Sequence, residues 1–132
     1  MREILFRGKR IFTKDWIEGV AFSHDNNEVT MLSQHPMDGS LLGKEVYPGT
    51  VGQFTGLTDK CGTKIFEGDI IQNVTEGKTA VVQWFSEYSA FMLWCKSENQ
   101  VYWLYDNDFH NIEVIGNIYD NPELLGGADN GS

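Results

Sequence analysis

The residues here whose types and spacing suit chemistry are Glu67 and Asp69, which flank Gly68 in the run Phe66-Glu67-Gly68-Asp69-Ile70. Two carboxylates at i and i+2 on a continuous strand share a face, where they would do acid–base work or hold a cation. The competing reading is structural. A Gly between two acids inside a strand pattern marks a bulge or sharp bend, with both carboxylates capping it or facing water. Structural charge clusters resemble sites, so the bend is the reading adopted and no catalytic residue is assigned. The other candidates are aromatic: Trp84, Trp94 and Trp103, with Tyr105. They would form a platform for bases or a peptide, or fill the core of a small β protein. Basic residues are not interleaved with them as a nucleic-acid groove requires, which favours the core. On the competing, functional reading the candidate binding surface is Glu67, Asp69, Trp84, Trp94 and Trp103.

Other reactive residues are sparse. His24, His35 and His110 are scattered, so no metal site is expected. Cys61 and Cys95 lack CxxC spacing and an adjacent His; they read as free thiols, one in a turn and one in a buried strand. Asp106-Asn107-Asp108-Phe109-His110-Asn111 opens like a calcium loop. It has Asn111 where such a loop needs Gly, and no closing Glu at the twelfth position. HExxH, a phosphate-binding Gly loop and a Rossmann unit are all absent, so no cofactor is expected.

The elements that must position these residues are strands. Val51 to Thr55 is a short β-leaning run, and Asp59 with Gly62 suits a type I turn with a bulge before Ile65-Phe66 returns. After the Glu67–Asp69 bend, Ile70-Ile71 leads to the strand Thr79 to Phe85, then Phe91 to Cys95 and Val101 to Tyr105. A meander with about ten residues per strand and turn predicts a small bent β-barrel, SH3-like in part. Upstream, Ile4-Leu5-Phe6 and Ile11-Phe12 flank Arg7-Gly8-Lys9-Arg10, which predicts an N-terminal β-hairpin layer with Gly8 in the turn. Trp16 to Phe22 and Val29 to Leu32 are further strands. The polar stretch within 33–45 is the candidate subdomain boundary in a single domain over 1–125. Pro122 at the first position of a helical turn predicts a short C-terminal helix ending in a flexible tail, 126–132.

Much of this pattern resembles the YopX family of phage and prophage proteins. The resemblance rests on Val46-Tyr47-Pro48-Gly49-Thr50-Val51-Gly52-Gln53-Phe54-Thr55-Gly56-Leu57, then Asp59, Gly62 and Ile65-Phe66-Glu67-Gly68-Asp69-Ile70-Ile71. It extends to Phe6-Arg7, to Val82 and Trp84, and to Ile115-Gly116-Asn117-Ile118-Tyr119-Asp120-Asn121-Pro122-Glu123-Leu124-Leu125. The usual opening Phe-Arg-Ala-Trp is Phe6-Arg7-Gly8-Lys9 here, a departure confined to the first hairpin. The resemblance implies a mostly β, phage-derived protein with no catalytic residues to carry over.

Composition narrows the function classes. The 132 residues carry a formal net charge of −9, which repels duplex DNA unless the Lys and Arg side chains cluster. No apolar run approaches the roughly 20 residues that span a bilayer, so a soluble, cytoplasmic protein with no membrane partner is expected, and the family resemblance implies that the cytoplasm is that of a bacterial host. The leading reading is a non-enzymatic phage or prophage binding or regulatory module acting on a protein partner. The alternatives are a nucleic-acid-associated small β-barrel module and an enzyme using Glu67 and Asp69. Pairing of edge strands in a homo-oligomer is a further expectation.

Overall fold

The computed structural model describes residues 3–104 and 111–125. Its chain divides into two compact units, Met1–Gly56 and Leu57–Ser132. In the first unit β1 (Phe6–Lys9) pairs antiparallel with β2 (Trp16–Gly19), Phe6 opposite Gly19 and Lys9 opposite Trp16. The expected first turn is therefore misplaced. Gly8 lies inside β1, and the chain reverses between Arg10 and Asp15, where the Arg10 N–H donates to the Asp15 carbonyl at 2.8 Å. Gly8 serves close packing instead: a Cβ there would lie 3.0 Å from the Val46 side chain. The reversal falls to Lys14, at φ 66°.

The Trp16 to Phe22 run is split after Gly19. Its second part belongs to β3 (Ala21–Asp25), which forms an antiparallel sheet with β4 (Glu28–Gln34) and β5 (Leu41–Val46) in the order β3-β4-β5. Asn26 and Asn27, at φ 48° and 67°, make the two-residue turn of the β3–β4 hairpin, the backbone that a type I′ turn demands. The stretch within 33–45 is the β4–β5 hairpin. Val29, Met31 and Val46 form the buried core of this unit, with Phe6, Ile17 and Val51 packed against it.

From β6 (Gly52–Thr58) the chain passes into the second unit. The start of β6 pairs with β1, Gln53 opposite Phe6. Asp59 then turns the chain into β7 (Lys64–Phe66), and a second turn leads to β8 (Asp69–Asn73). Beyond it β9 (Thr79–Phe85), β10 (Ala90–Cys95), β11 (Gln100–Trp103) and β12 (Ile112–Asn117) complete a five-stranded antiparallel sheet, ordered β11-β10-β9-β8-β12. Ile71, Ala80, Val82, Leu93 and Cys95 on one face make the core with Ile65 and Leu104. Ile70, Val81 and Met92 on the other face are buried too. Strands covered on both faces need apolar residues at every position, which is why Ile70-Ile71 and Val81-Val82 do not alternate.

Two expectations about this unit are corrected. The sheets do not close into a barrel: β11 and β12 are opposite edges of the five-stranded sheet and are not bonded to each other. The turn Glu67-Gly68 hands the chain to a different sheet rather than curling one sheet on itself. The C-terminal helix is a single 3-10 turn, Pro122–Leu125. Four residues give too few backbone bonds to repay helix nucleation. The proposed tail, 126–132, lies outside the described residues.

Candidate functional site

The Glu67–Asp69 pair is assembled by a turn, not by a continuous strand. Gly68 sits at φ 91°, its N–H donates to the Val82 carbonyl at 2.8 Å, and its own carbonyl accepts from Ile118 N–H at 3.0 Å. Asp69 is 1% exposed and its Oδ2 accepts the Phe66 N–H at 2.7 Å, closing the turn. Glu67 is half-buried. The Tyr119 ring covers the turn so closely that a Cβ on Gly68 would lie 3.1 Å from its Cε2. Gly68→Ala is therefore expected to cost about 1–2 kcal/mol from the positive φ, before any shift of Tyr119. A lowered midpoint in thermal denaturation with an unchanged far-ultraviolet dichroism spectrum is the check.

Strand register distributes the tryptophans. Trp84 is directly opposite Phe91, and Trp103 is directly opposite Met92. Successive residues of β10 point to opposite faces, so Trp84 and Trp103 lie on different sides of the sheet. Trp84 stacks edge-on against Phe91 with centroids 5.1 Å apart, on the face that carries Val82 and Leu93. Trp94 shares the Trp103 face and is half-buried between Val81 and Val101. The core placement expected for the three is corrected: Trp84 and Trp103 are 49% and 48% exposed, and their facing follows from a register that residue types alone do not give. Tyr105 lies outside the described residues.

The residue that sequence reasoning missed is Tyr88, in the β9–β10 turn. Its ring meets Trp103 at 5.5 Å and 62°, and Phe85 at 6.4 Å and 45°. Tyr88 and Trp103 are each 48% exposed. Edge-to-face pairs of this kind add about 0.5–1.5 kcal/mol beyond their burial, so the two rings hold one another without a covering layer. Ser89, at φ 49°, helps to reverse the chain beneath Tyr88. The one sequence signal was an aromatic in the polar turn Ser86-Glu87-Tyr88-Ser89, where solvent exposure normally selects polar residues.

At the far end of the same sheet Lys78 contacts Glu98 at 3.0 Å and Glu76 at 3.1 Å, and the Tyr102 hydroxyl donates to Glu98. The Tyr102 hydroxyl and then Lys78 hold the Glu98 carboxyl below its usual range, while Glu98 and Glu76 push the Lys78 ammonium up. Lys78 also lies 5.9 Å from the centre of the Tyr102 ring. Rings carry cations in the first unit as well: Arg7 over Trp16 and Lys14 over Tyr47, each at 4.7 Å.

Both cysteines are free, Cys61 exposed and Cys95 buried. The Glu113 carboxylate, 3.5 Å from the Cys61 sulfur, pushes that thiol up, opposite to what a nucleophile needs. Among the described residues no group of three or more His, Cys, Asp or Glu is placed to hold a metal ion. No helix among them is long and apolar enough to cross a membrane.

Charge is divided unequally. Leu57–Ser132 contains four lysines and no arginine against twelve Asp and Glu, a net of −8 within the chain's −9. Met1–Gly56 holds the other six basic residues against seven acids, a net of −1. The exposed Tyr88–Trp103 pair thus belongs to the strongly acidic unit.

Fold and surface together define a mainly β protein of two antiparallel units, one of them acidic with exposed aromatics. The chain belongs to the YopX family, whose model matches residues 5–126. Among solved structures it is similar to protein EF1440 from Enterococcus faecalis, at 24% identity and a TM-score of 0.58 over 95% of this chain and 99% of that one. That likeness concerns the fold. No curated protein matches the chain.

Proposed function

We propose that this YopX-family chain is a non-enzymatic, phage- or prophage-derived binding module that acts on a protein partner in the bacterial cytoplasm. The observation that carries the reading is the half-exposed Tyr88–Trp103 pair at one end of the five-stranded sheet. Aromatics of this type are the residues that dominate protein–protein contacts when they are buried by a partner. The net charge of −8 on the same unit supports a protein partner over nucleic acid, whose phosphates it would repel. Three of the early basic residues are engaged internally: Arg7 over Trp16, Arg10 with Asp15 at 3.7 Å, Lys14 with Tyr47. Self-association through edge strands belongs to the same proposal and is read by light scattering of the purified protein.

The test places a photo-crosslinking phenylalanine analogue at position 103 or, as a control in the other unit, at position 38. Irradiation in host lysate is expected to give a discrete protein adduct from position 103 and none from position 38. In parallel, fluorescence anisotropy follows labelled single-stranded DNA, duplex DNA and RNA at two salt concentrations. Saturable, salt-weakened nucleic-acid binding without a protein adduct would overturn the reading in favour of a nucleic-acid module.

A further inference from the structure

We infer that the Tyr88–Trp103 pair is a docking surface for a Lys- or Arg-rich segment of the partner. This rests on the binding-module reading and adds the partner's chemistry. The protein already seats its own cations on aromatic rings at three places. Arg7 sits over Trp16 and Lys14 over Tyr47, each at 4.7 Å, and Lys78 near Tyr102 at 5.9 Å. Among the described residues no Lys or Arg lies over Tyr88 or Trp103. The turn that presents Tyr88, Phe85 to Ala90, contains Glu87 and no basic residue, and Trp103 meets Tyr88 from the end of β11. These rings therefore offer negative faces to solvent in the unit that carries −8.

Charge complementarity selects the occupant. An ammonium or guanidinium over a Trp or Tyr face is attracted by the ring quadrupole, and more strongly once the partner excludes water. The long stems of Lys and Arg cover aromatic surface while their heads stay near the acids. An acidic segment would be repelled by the field of the unit, and an apolar one would gain contact with the rings but nothing from that field. Trp84 gives the internal control, because it lies on the opposite face with its edge against Phe91.

The experiment titrates the full chain with a fluorescein-labelled, unstructured peptide alternating Lys, Arg and Ser, and with acidic and neutral peptides of equal length. Anisotropy is read at low and moderate salt. The wild type is expected to bind the basic peptide saturably and the others not at all. Trp103→Ala and Tyr88→Ala are each expected to weaken binding by about three- to tenfold, the range for a cation–π contact at a partly exposed site. Glu87→Lys supplies an internal cation beside the rings and is expected to abolish binding, whereas Trp84→Ala leaves it unchanged. Thermal midpoints accompany every variant, and the charge reversal decides the matter if an aromatic truncation unfolds the sheet. Basic-peptide binding that survives both Trp103→Ala and Glu87→Lys, or that is absent from the wild type, overturns the inference. A protein adduct from position 103 in that circumstance leaves the binding-module reading standing and removes only the cationic partner.

Discussion

Asp59→Ala is expected to destabilise the folded chain by about 2–4 kcal/mol, the loss set by hydrogen bonds to a charged acceptor and by the donors left behind. Asp59 is 6% exposed, and its carboxylate takes three backbone N–H groups. Oδ1 accepts from Cys61 and Thr63 at 2.9 Å each, and Oδ2 from Val114 at 2.9 Å. The first two close the β6–β7 turn. The third reaches across 55 residues of chain to β12, where the register shifts between Val114 and Gly116. One side chain thus shapes the central turn and pins it to the last strand. Asp59→Asn retains the Oδ1 pair but turns an NH2 group toward the Val114 N–H, so it also loses stability.

The same carboxylate predicts a pH dependence. Burial opposes its ionisation, and the N–H groups of Val114, Thr63 and Cys61 outweigh that, holding it below its ordinary 3.8. A group that ionises more readily folded than unfolded adds stability that is complete above the unfolded value and lost as pH falls through the folded one. Wild-type stability should therefore fall below about pH 4, and Asp59→Asn should fall less steeply there. Urea titrations at pH 3 and pH 7 would measure it. Equal slopes for the two proteins would remove Asp59 from the acid transition.

Gly19→Ala is expected to cost about 1–3 kcal/mol, the range for overpacking a buried site. A Cβ at Gly19 would lie 2.6 Å from the Leu32 carbonyl oxygen, 2.6 Å from the Met31 Cγ and 2.7 Å from its sulfur. The Met31 side chain could rotate, but it is fully buried. The Leu32 carbonyl is fixed, since it accepts the Val20 N–H at 2.9 Å. The substitution must move β4 itself. By contrast, nothing lies within 4 Å of a Cβ at Gly49, so Gly49→Ala should leave the thermal midpoint nearly unchanged. Comparable losses at the two positions would show that backbone freedom, not space, governs Gly19.

Physical meaning now attaches to the residues that carry the family resemblance. Asp59 ties the central turn to β12. Gly68 and Asp69 form a bend closed by the Phe66 N–H and covered by Tyr119. Asn117 Oδ1 accepts from Tyr119 and Asp120, and Asn121 Oδ1 accepts from Asn117 at 3.2 Å, so the final motif is a self-bonded cap. The recognisable stretches serve the fold, whereas the exposed Tyr88 stands outside them.

Local chemistry was legible in the sequence. The Asp59 turn, the Glu67–Asp69 bend, the β8–β11 meander and the two free thiols depend on neighbours a few residues away, and short-range rules read those. At Gly8 short-range rules predict a turn, and the approach of Val46, 38 residues away in the chain, decides otherwise. Barrel closure likewise depends on which strands end up as edges, and that follows from pairing β12 with β8 across the sheet. The tryptophans separate for the same reason. Facing is set by parity along β9, β10 and β11 once their register is known, and register is a property of paired strands. Residue types alone determined that this chain is mainly β, acidic and aromatic-rich; only the tertiary structure decided that Tyr88 and Trp103 stand together in solvent, because their contact joins two strands and a turn.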